Sequence, residues 1–242
     1  MTPDLTVALK LGPRELVAFT GGGGKSTLLL SLSRQLEADG HRLIVTTTTK
    51  MGLDQTVGRP LCWSPDLADI AVALAESPAL MVLSDADDHK VLGYPPERVD
   101  DWFAHTEVEY VLVEADGARR RPLKAPAHHE PVIPSATSLV VVVVGIDAIG
   151  QSIHEAVHRS EQAARLTGLS PADLVTPEVV TAIVSHPDGG LQGVPELARV
   201  VVALNKVGPD SEADAVKVQE SLLATDRIES VMMVPFSAQM AP

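Results

Sequence analysis

Seven short aliphatic runs recur along the chain, mostly with helix-like segments between them. They are Glu15–Thr20, Arg42–Thr48, Ala79–Ser84, Glu109–Glu114, Ser138–Ile146, Arg199–Leu204 and Ser230–Phe236. Such alternation predicts βαβ units, a largely parallel sheet and helices on both of its faces. The runs are aliphatic almost throughout rather than at every second residue, as strands covered on both sides are. Aromatic residues make up 3% of the chain, so Val, Leu, Ile and Ala must build the core. The clearest helix is Lys25–Ala38, with Leu28, Leu29, Leu32 and Leu36 on one stripe and Gly40 past its end. Ser152–Leu166 carries Ile153, Ala156, Val157, Ala163 and Ala164 at helical intervals and is expected to be a second one.

Two stretches interrupt the alternation. Gly117–Ser135 holds Pro122, Pro126, Pro131 and Pro134, too many for a helix or an inner strand, and reads as an extended functional loop. His186–Pro195 reads as a second connector. Neither resembles a linker between domains, because strands resume on both sides. At 242 residues the whole chain, 1–242, is expected to form one nucleotide-binding domain.

That expectation rests on Thr20-Gly21-Gly22-Gly23-Gly24-Lys25-Ser26-Thr27, which follows an apolar strand and opens an amphipathic helix. Glycines let backbone N–H groups turn inward around phosphate oxygens, and a helix N-terminus adds positive potential. In this setting Lys25 reaches the β- and γ-phosphates and the Ser26 hydroxyl ligates Mg²⁺. The longer spacing G-x-x-x-x-G-K-[ST] is not met, since its first glycine falls on Phe19. The loop is the shorter G-x-x-G-K-[ST], and it resembles the phosphate loop of Mur-type ligases. The fold class expected is therefore α/β, a three-layer P-loop NTPase-like fold with a mostly parallel central sheet, using ATP or GTP with Mg²⁺.

Two further strand ends belong with this loop, because ligands of parallel α/β sheets sit outside the carboxyl ends of strands. Thr46-Thr47-Thr48-Thr49 closes the second run; its hydroxyls, with Thr47 and Thr48 as the candidates, can ligate Mg²⁺ or touch the γ-phosphate. Tyr110–Val113 ends in Glu114-Ala115-Asp116-Gly117. Glu114 and Asp116 at the tip of a buried strand suit a carboxylate site that holds Mg²⁺ or orders a water. Asp85 and Asp87, after the run Ala79–Ser84, are the competitors.

Near the C-terminus, Val200–Leu204 runs into Asn205-Lys206-Val207-Gly208, which resembles the Asn-Lys-x-Asp motif of GTP-binding proteins. Phe236-Ser237-Ala238-Gln239 resembles the Ser-Ala-Lys loop that contacts guanine in the same proteins. Asn205, Lys206, Ser237 and Ala238 are thus the candidate base-binding residues. Gly208 stands where those proteins have the aspartate that reads guanine, so the sequence leaves ATP and GTP both open.

The block Val113–Pro126, continuing into His129-Glu130-Pro131-Val132-Ile133-Pro134, completes a pattern with Gly21–Thr27, Thr46–Met51, His186–Pro195 and Asn205–Lys206. In that order, over nearly the whole chain, it resembles the YqeC family, accessory proteins of selenium-dependent molybdenum hydroxylases. The resemblance implies a nucleotide-binding fold and a role in maturing such a hydroxylase, with its apoprotein or cofactor as partner. It does not supply a mechanism: a small-molecule kinase, a Mur-like ligase and a non-hydrolysing, nucleotide-gated delivery scaffold stay open beside an NTPase.

Arg119, Arg120, Arg121 and Lys124 set four cations just behind the carboxylates of Glu114 and Asp116. Arg119, Arg121 and Lys124 are candidates for gripping a phosphoryl group or an anionic substrate. His128, His129 and Glu130 are a candidate acid/base group. His154 and His158, at i and i+4, have the spacing of a zinc pair but no third ligand in view.

The net charge of −13 argues against nucleic acid and anionic membrane as partners, since both reward basic surfaces. A single cysteine, Cys62, cannot form an internal disulfide or a zinc cluster. Met1–Leu11 carries Asp4 and lacks a sustained apolar segment, and the run Leu139–Val144 is far short of the ~20 residues that cross a bilayer. A cytoplasmic protein is expected.

Overall fold

A computed structural model describes residues 3–235. All seven aliphatic runs are strands, and an eighth, the two-residue β3, extends one edge of the sheet. The strands are β1 (Glu15–Gly21), β2 (Leu43–Thr47), β3 (Leu61–Cys62), β4 (Ala79–Val82), β5 (Tyr110–Glu114), β6 (Leu139–Gly145), β7 (Arg199–Val207) and β8 (Ser230–Pro235). Their order is β8-β7-β6-β1-β5-β2-β4-β3, and every neighbouring pair is parallel. β1, which delivers the glycine loop, is flanked by β5, which delivers Glu114, and by β6. No helix among the described residues is long and apolar enough to cross a membrane.

Alternate residues of each strand feed opposite cores. Val17 and Phe19 of β1, with Val45 and Leu112, pack under helix α1 (Lys25–Ala38) through Leu28, Leu29, Leu32 and Leu36. On the other face, Leu16, Ile44 and Val111 pack against α2 (Leu67–Glu76) and α3 (Pro96–His105), with Trp102 fully buried. Further along that face, Val140, Val142, Val200 and Val202 meet α4 (Ser160–Thr167), α5 (Pro177–Ser185) and α6 (Glu212–Leu223). Helices therefore cover both faces of a wholly parallel sheet. The three-layer α/β fold with a parallel central sheet is present.

The helix expected over Ser152–Leu166 is broken. One turn, Ile153–Ala156, is followed by the two-residue strand Val157–His158, and α4 begins only at Ser160. Val157 and His158 pair in parallel with Leu123 and Lys124, and the Ala125 N–H donates to the His158 carbonyl at 3.1 Å. Arg159 turns the chain in the left-handed region at φ 67°. A strand pairing with the Gly117–Ser135 loop outcompetes helix continuation, and His154 and His158 do not share a helix.

Candidate nucleotide site

The sheet register brings the strand ends together. Glu114 is aligned with Phe19 on one side and with Thr47 on the other. Two residues beyond Phe19, Gly21 leaves β1, and α1 begins at Lys25. The N–H groups of Lys25, Ser26 and Thr27 in the first turn of α1 have no acceptor within the helix, which leaves them for a ligand.

Backbone of neighbouring segments packs closely against Gly21, Gly22 and Gly23. The Gly22 N–H donates to the Val143 carbonyl and the Gly23 N–H to the Arg121 carbonyl, both at 2.9 Å. Asn205, buried, donates from Nδ2 to the Gly23 carbonyl at 2.8 Å. A Cβ on Gly24, where φ is +120°, would lie 2.4 Å from that same Nδ2, so a side chain and Asn205 cannot share the space. Asn205 thus lies directly against the glycine loop. Lys206 turns away and pairs with Asp147 at 2.7 Å. Ser237 and Ala238 lie outside the described residues.

Lys25 is buried and folds back over its own loop. Its Nζ donates to the Gly21 carbonyl at 2.8 Å and lies 3.1 Å from Asp116 Oδ1. Burial pulls the Lys25 pKa down, but the negative charges of Asp116 and Glu114 outweigh it and hold the ammonium above the ordinary lysine value. Ser26 Oγ donates to Glu114 Oε2 at 2.5 Å. Burial pushes the Glu114 carboxyl up, against the pull of Lys25 and the Ser26 hydrogen bond. Ser26 and Glu114 form an adjacent pair of oxygen donors beside an ammonium, which suits a small hard cation that keeps most of its ligands as water and phosphate oxygen.

Asp116, expected beside Glu114 as a metal carboxylate, is held otherwise. Its two oxygens meet Lys25 at 3.1 Å and Lys124 at 3.0 Å, and Oδ2 also accepts from the Gly21 N–H at 3.1 Å. Two lysines neutralise this carboxylate and an amide holds Oδ2, while Oδ1, buried 3.1 Å from the Lys25 ammonium, makes no hydrogen bond. Lys124, expected to grip a substrate, is likewise buried: its Nζ meets Asp116, Glu130 at 3.1 Å, and the Gly117 carbonyl at 2.7 Å. Glu130 also pairs with Arg159 at 3.0 Å. Burial would raise Glu130, but Lys124 and Arg159 hold it below the ordinary range, so it stays an anion rather than a proton donor.

Among the threonines, Thr47 Oγ1 donates to the Glu114 carbonyl at 2.8 Å and Thr48 Oγ1 to the Val132 carbonyl at 2.6 Å. They pin β2 to β5 and to the proline-rich loop beside the site. Asp85 and Asp87 sit on an exposed antiparallel hairpin, and Asp87 caps its turn through the His89 and Lys90 N–H groups. Arg119 and His129 are exposed, and the His128 and His129 rings meet edge to face at 5.0 Å. Among the described residues no cluster of three or more His, Cys, Asp or Glu is spaced to hold a metal ion.

The backbones of Val143, Gly145 and Pro122 shape the loop, a role that no motif in the sequence marks. The Gly145 N–H donates to the Pro122 carbonyl at 2.8 Å and so fastens the proline-rich loop to the end of β6. Gly145 followed by Asp147 at a strand end was the available signal.

The model of the YqeC protein family matches residues 17–161. A protein of Escherichia coli (strain K12) with the name YqeC is 37% identical over 194 residues, covering 79% of this chain and 75% of its own. Among solved structures, the MinC:MinD cell division protein complex of Aquifex aeolicus aligns at 12% identity and a TM-score of 0.47, over 93% of this chain and 83% of that one. The hydrogenase maturation factor HypB of Archaeoglobus fulgidus aligns at 13% identity and a TM-score of 0.40, over 95% and 85%.

Proposed function

The chain belongs to the YqeC family, and from that footing we propose that it binds a nucleoside triphosphate with Mg²⁺ on Gly21–Thr27 and turns it over. The observation that carries this reading is the meeting of Lys25, Ser26 and Glu114 at the start of α1, with the Ser26–Glu114 hydrogen bond at 2.5 Å. Lys25 exchanges the Gly21 carbonyl for phosphate oxygens. The first-turn amides of α1 accept the phosphate charge that the helix end favours. Ser26 and Glu114 hold Mg²⁺, which neutralises phosphate charge and polarises the γ-phosphoryl group. Asp116 keeps the Lys25 ammonium charged and aimed at the loop. Beside the metal, the Glu114 carboxylate would order the attacking water or acceptor hydroxyl. The acceptor role follows the family resemblance: maturation of a selenium-dependent molybdenum hydroxylase, with its apoprotein or cofactor as the partner.

Titration calorimetry with Mg²⁺–ATP and Mg²⁺–GTP tests the binding. The wild-type protein takes up nucleotide and Lys25→Ala does not. Lys25→Ala takes one cation from buried Asp116, which keeps Lys124 at 3.0 Å, and should cost about 3 kcal/mol, so its thermal midpoint is measured beside the wild type's. Undiminished affinity in Lys25→Ala defeats the reading. Release of phosphate without a partner separates an NTPase from a scaffold, and release that depends on an acceptor points to a kinase or ligase.

A further inference from the structure

Behind the proline-rich loop lies a cavity of about 790 Å³, within the range of about 300–1,000 Å³ usual for small-molecule sites. Four arginines line it: Arg119 and Arg121 from the turn after β5, Arg159 before α4, and Arg165 within α4. Glu161 and Asp188 are the acids in its wall. In a chain of net charge −13 this is a local reversal of sign.

Among the described residues, no carboxylate within 4.0 Å pairs with Arg119, Arg121 or Arg165. Arg159 is anchored on Glu130 at 3.0 Å and fixes that side of the cavity. Guanidiniums that outnumber the acids beside them, Glu161 and Asp188, repel one another unless an anion joins them, and their planar forks match phosphate oxygens. Two of the four occupy left-handed backbone, Arg119 at φ 47° and Arg159 at φ 67°, a conformation that costs a side-chain-bearing residue energy and gathers at functional sites. The start of α4 also borders the cavity, and the Arg159 side chain does not cap it, so its dipole adds to the positive field. Arg121 spans two places: its side chain lines the cavity, while its carbonyl accepts from the Gly23 N–H.

We propose that this cavity is a second binding site, separate from the glycine loop, for a small molecule that carries a phosphate or diphosphate group. The arginines supply recognition of the anion; His128, His154 and His158 in the wall supply ring nitrogens that can hydrogen-bond the rest of the molecule. The site stands whether or not the glycine loop binds nucleotide.

The test is calorimetric titration of inorganic pyrophosphate and of ribose 5-phosphate into the wild-type protein, the Arg119→Ala/Arg165→Ala double variant and Lys25→Ala. Arg119 and Arg165 are exposed, so the double variant keeps its fold, which its thermal midpoint verifies. The expected result is binding of at least one probe to the wild type and to Lys25→Ala, with affinity reduced at least about tenfold in the double variant. Preference for pyrophosphate identifies a diphosphate ligand, and preference for ribose 5-phosphate a phosphate ester. Binding that is lost in Lys25→Ala and kept in the double variant overturns the proposal, because the anion then belongs to the glycine loop. Absence of binding by either probe overturns it as well. Failure of the nucleotide reading shows separately, as no Mg²⁺–nucleotide uptake by the wild type.

Discussion

Gly23 and Gly145 stand backbone against backbone: a Cβ built on Gly23 would lie 2.1 Å from the Gly145 nitrogen. Gly23 also has φ +78°, where L side chains are strained. Gly23→Ala therefore combines backbone strain with overpacking against atoms that cannot rotate away. The expected loss is about 3 kcal/mol or more of unfolding free energy, together with loss of nucleotide uptake. Gly117 is the control, since a Cβ there meets nothing within 4 Å and its φ is not in the left-handed region. Denaturant unfolding of the two alanine variants should separate them clearly; equal stabilities would mean the loop is not packed as described.

Lys124 joins two buried or half-buried carboxylates, Asp116 at 3.0 Å and Glu130 at 3.1 Å. Lys124→Met leaves each with one cation, Lys25 or Arg159, and is expected to cost about 3 kcal/mol, as removal of one partner of a buried pair does. Adding Asp116→Asn removes a charge that has lost one of its two cations, so the double variant should recover part of the loss. A double-mutant cycle by urea unfolding measures this, and a coupling indistinguishable from zero would remove the pair from the account.

Much of the fold is legible in the sequence because its strands are covered on both faces. Valine runs such as Val140–Val144 suit strands buried on both faces, and the glycine loop is flanked by a strand and a helix. β3 escapes notice because two residues, Leu61 and Cys62, carry no periodicity. The break at Val157–Arg159 escapes for a different reason. Its apolar spacing fits a helix, while the competing partner, Leu123–Lys124, lies more than thirty residues away and cannot be seen in a local window. Charge tells a similar story. Arg119, Arg121 and Lys124 look alike in the sequence, yet only burial shows that Lys124 is spent inside on Asp116 and Glu130. Arg159 and Arg165 join Arg119 and Arg121 only because the broken helix turns back onto the loop.

His158 provides a test by pH. Its pKa is lowered from 6.5 to about 4, by burial first and then by the charges of Lys124 and Arg159, with Glu130 opposing and Arg119 adding a little. The folded protein therefore keeps His158 neutral where the unfolded chain would protonate it. With the folded value below the unfolded one, stability is fully present above pH 6.5 and is lost as pH falls from 6.5 towards 4. His158→Gln cannot take up that proton, so its thermal midpoint should fall less than the wild type's between pH 7 and about pH 4.5. Parallel curves for the two proteins over this range would show that His158 titrates normally.

Asn205 and Gly208 carry the last prediction. Asn205 is fixed against the glycine loop through its 2.8 Å hydrogen bond to the Gly23 carbonyl, the place from which a base-contacting residue can serve a nucleotide held on that loop. Gly208, three residues on, occupies the position of the guanine-reading aspartate in the motif that the segment resembles. Without that carboxylate, two hydrogen bonds that tell guanine from adenine are missing, and the wild type should prefer GTP over ATP by about tenfold or less. A side chain fits at Gly208: a Cβ there meets nothing within 4 Å, and its φ is not positive. Gly208→Asp should therefore raise GTP affinity about tenfold or more, since hydrogen bonds to a charged acceptor are worth about 1.5–3 kcal/mol each, and leave ATP affinity nearly unchanged. Calorimetry of both nucleotides with both proteins measures the selectivity. Equal effects on ATP and GTP would mean that the base does not lie over Asn205 and Gly208. A thousandfold GTP preference in the wild type would mean that another acid, with Asp210 the nearest, already reads guanine.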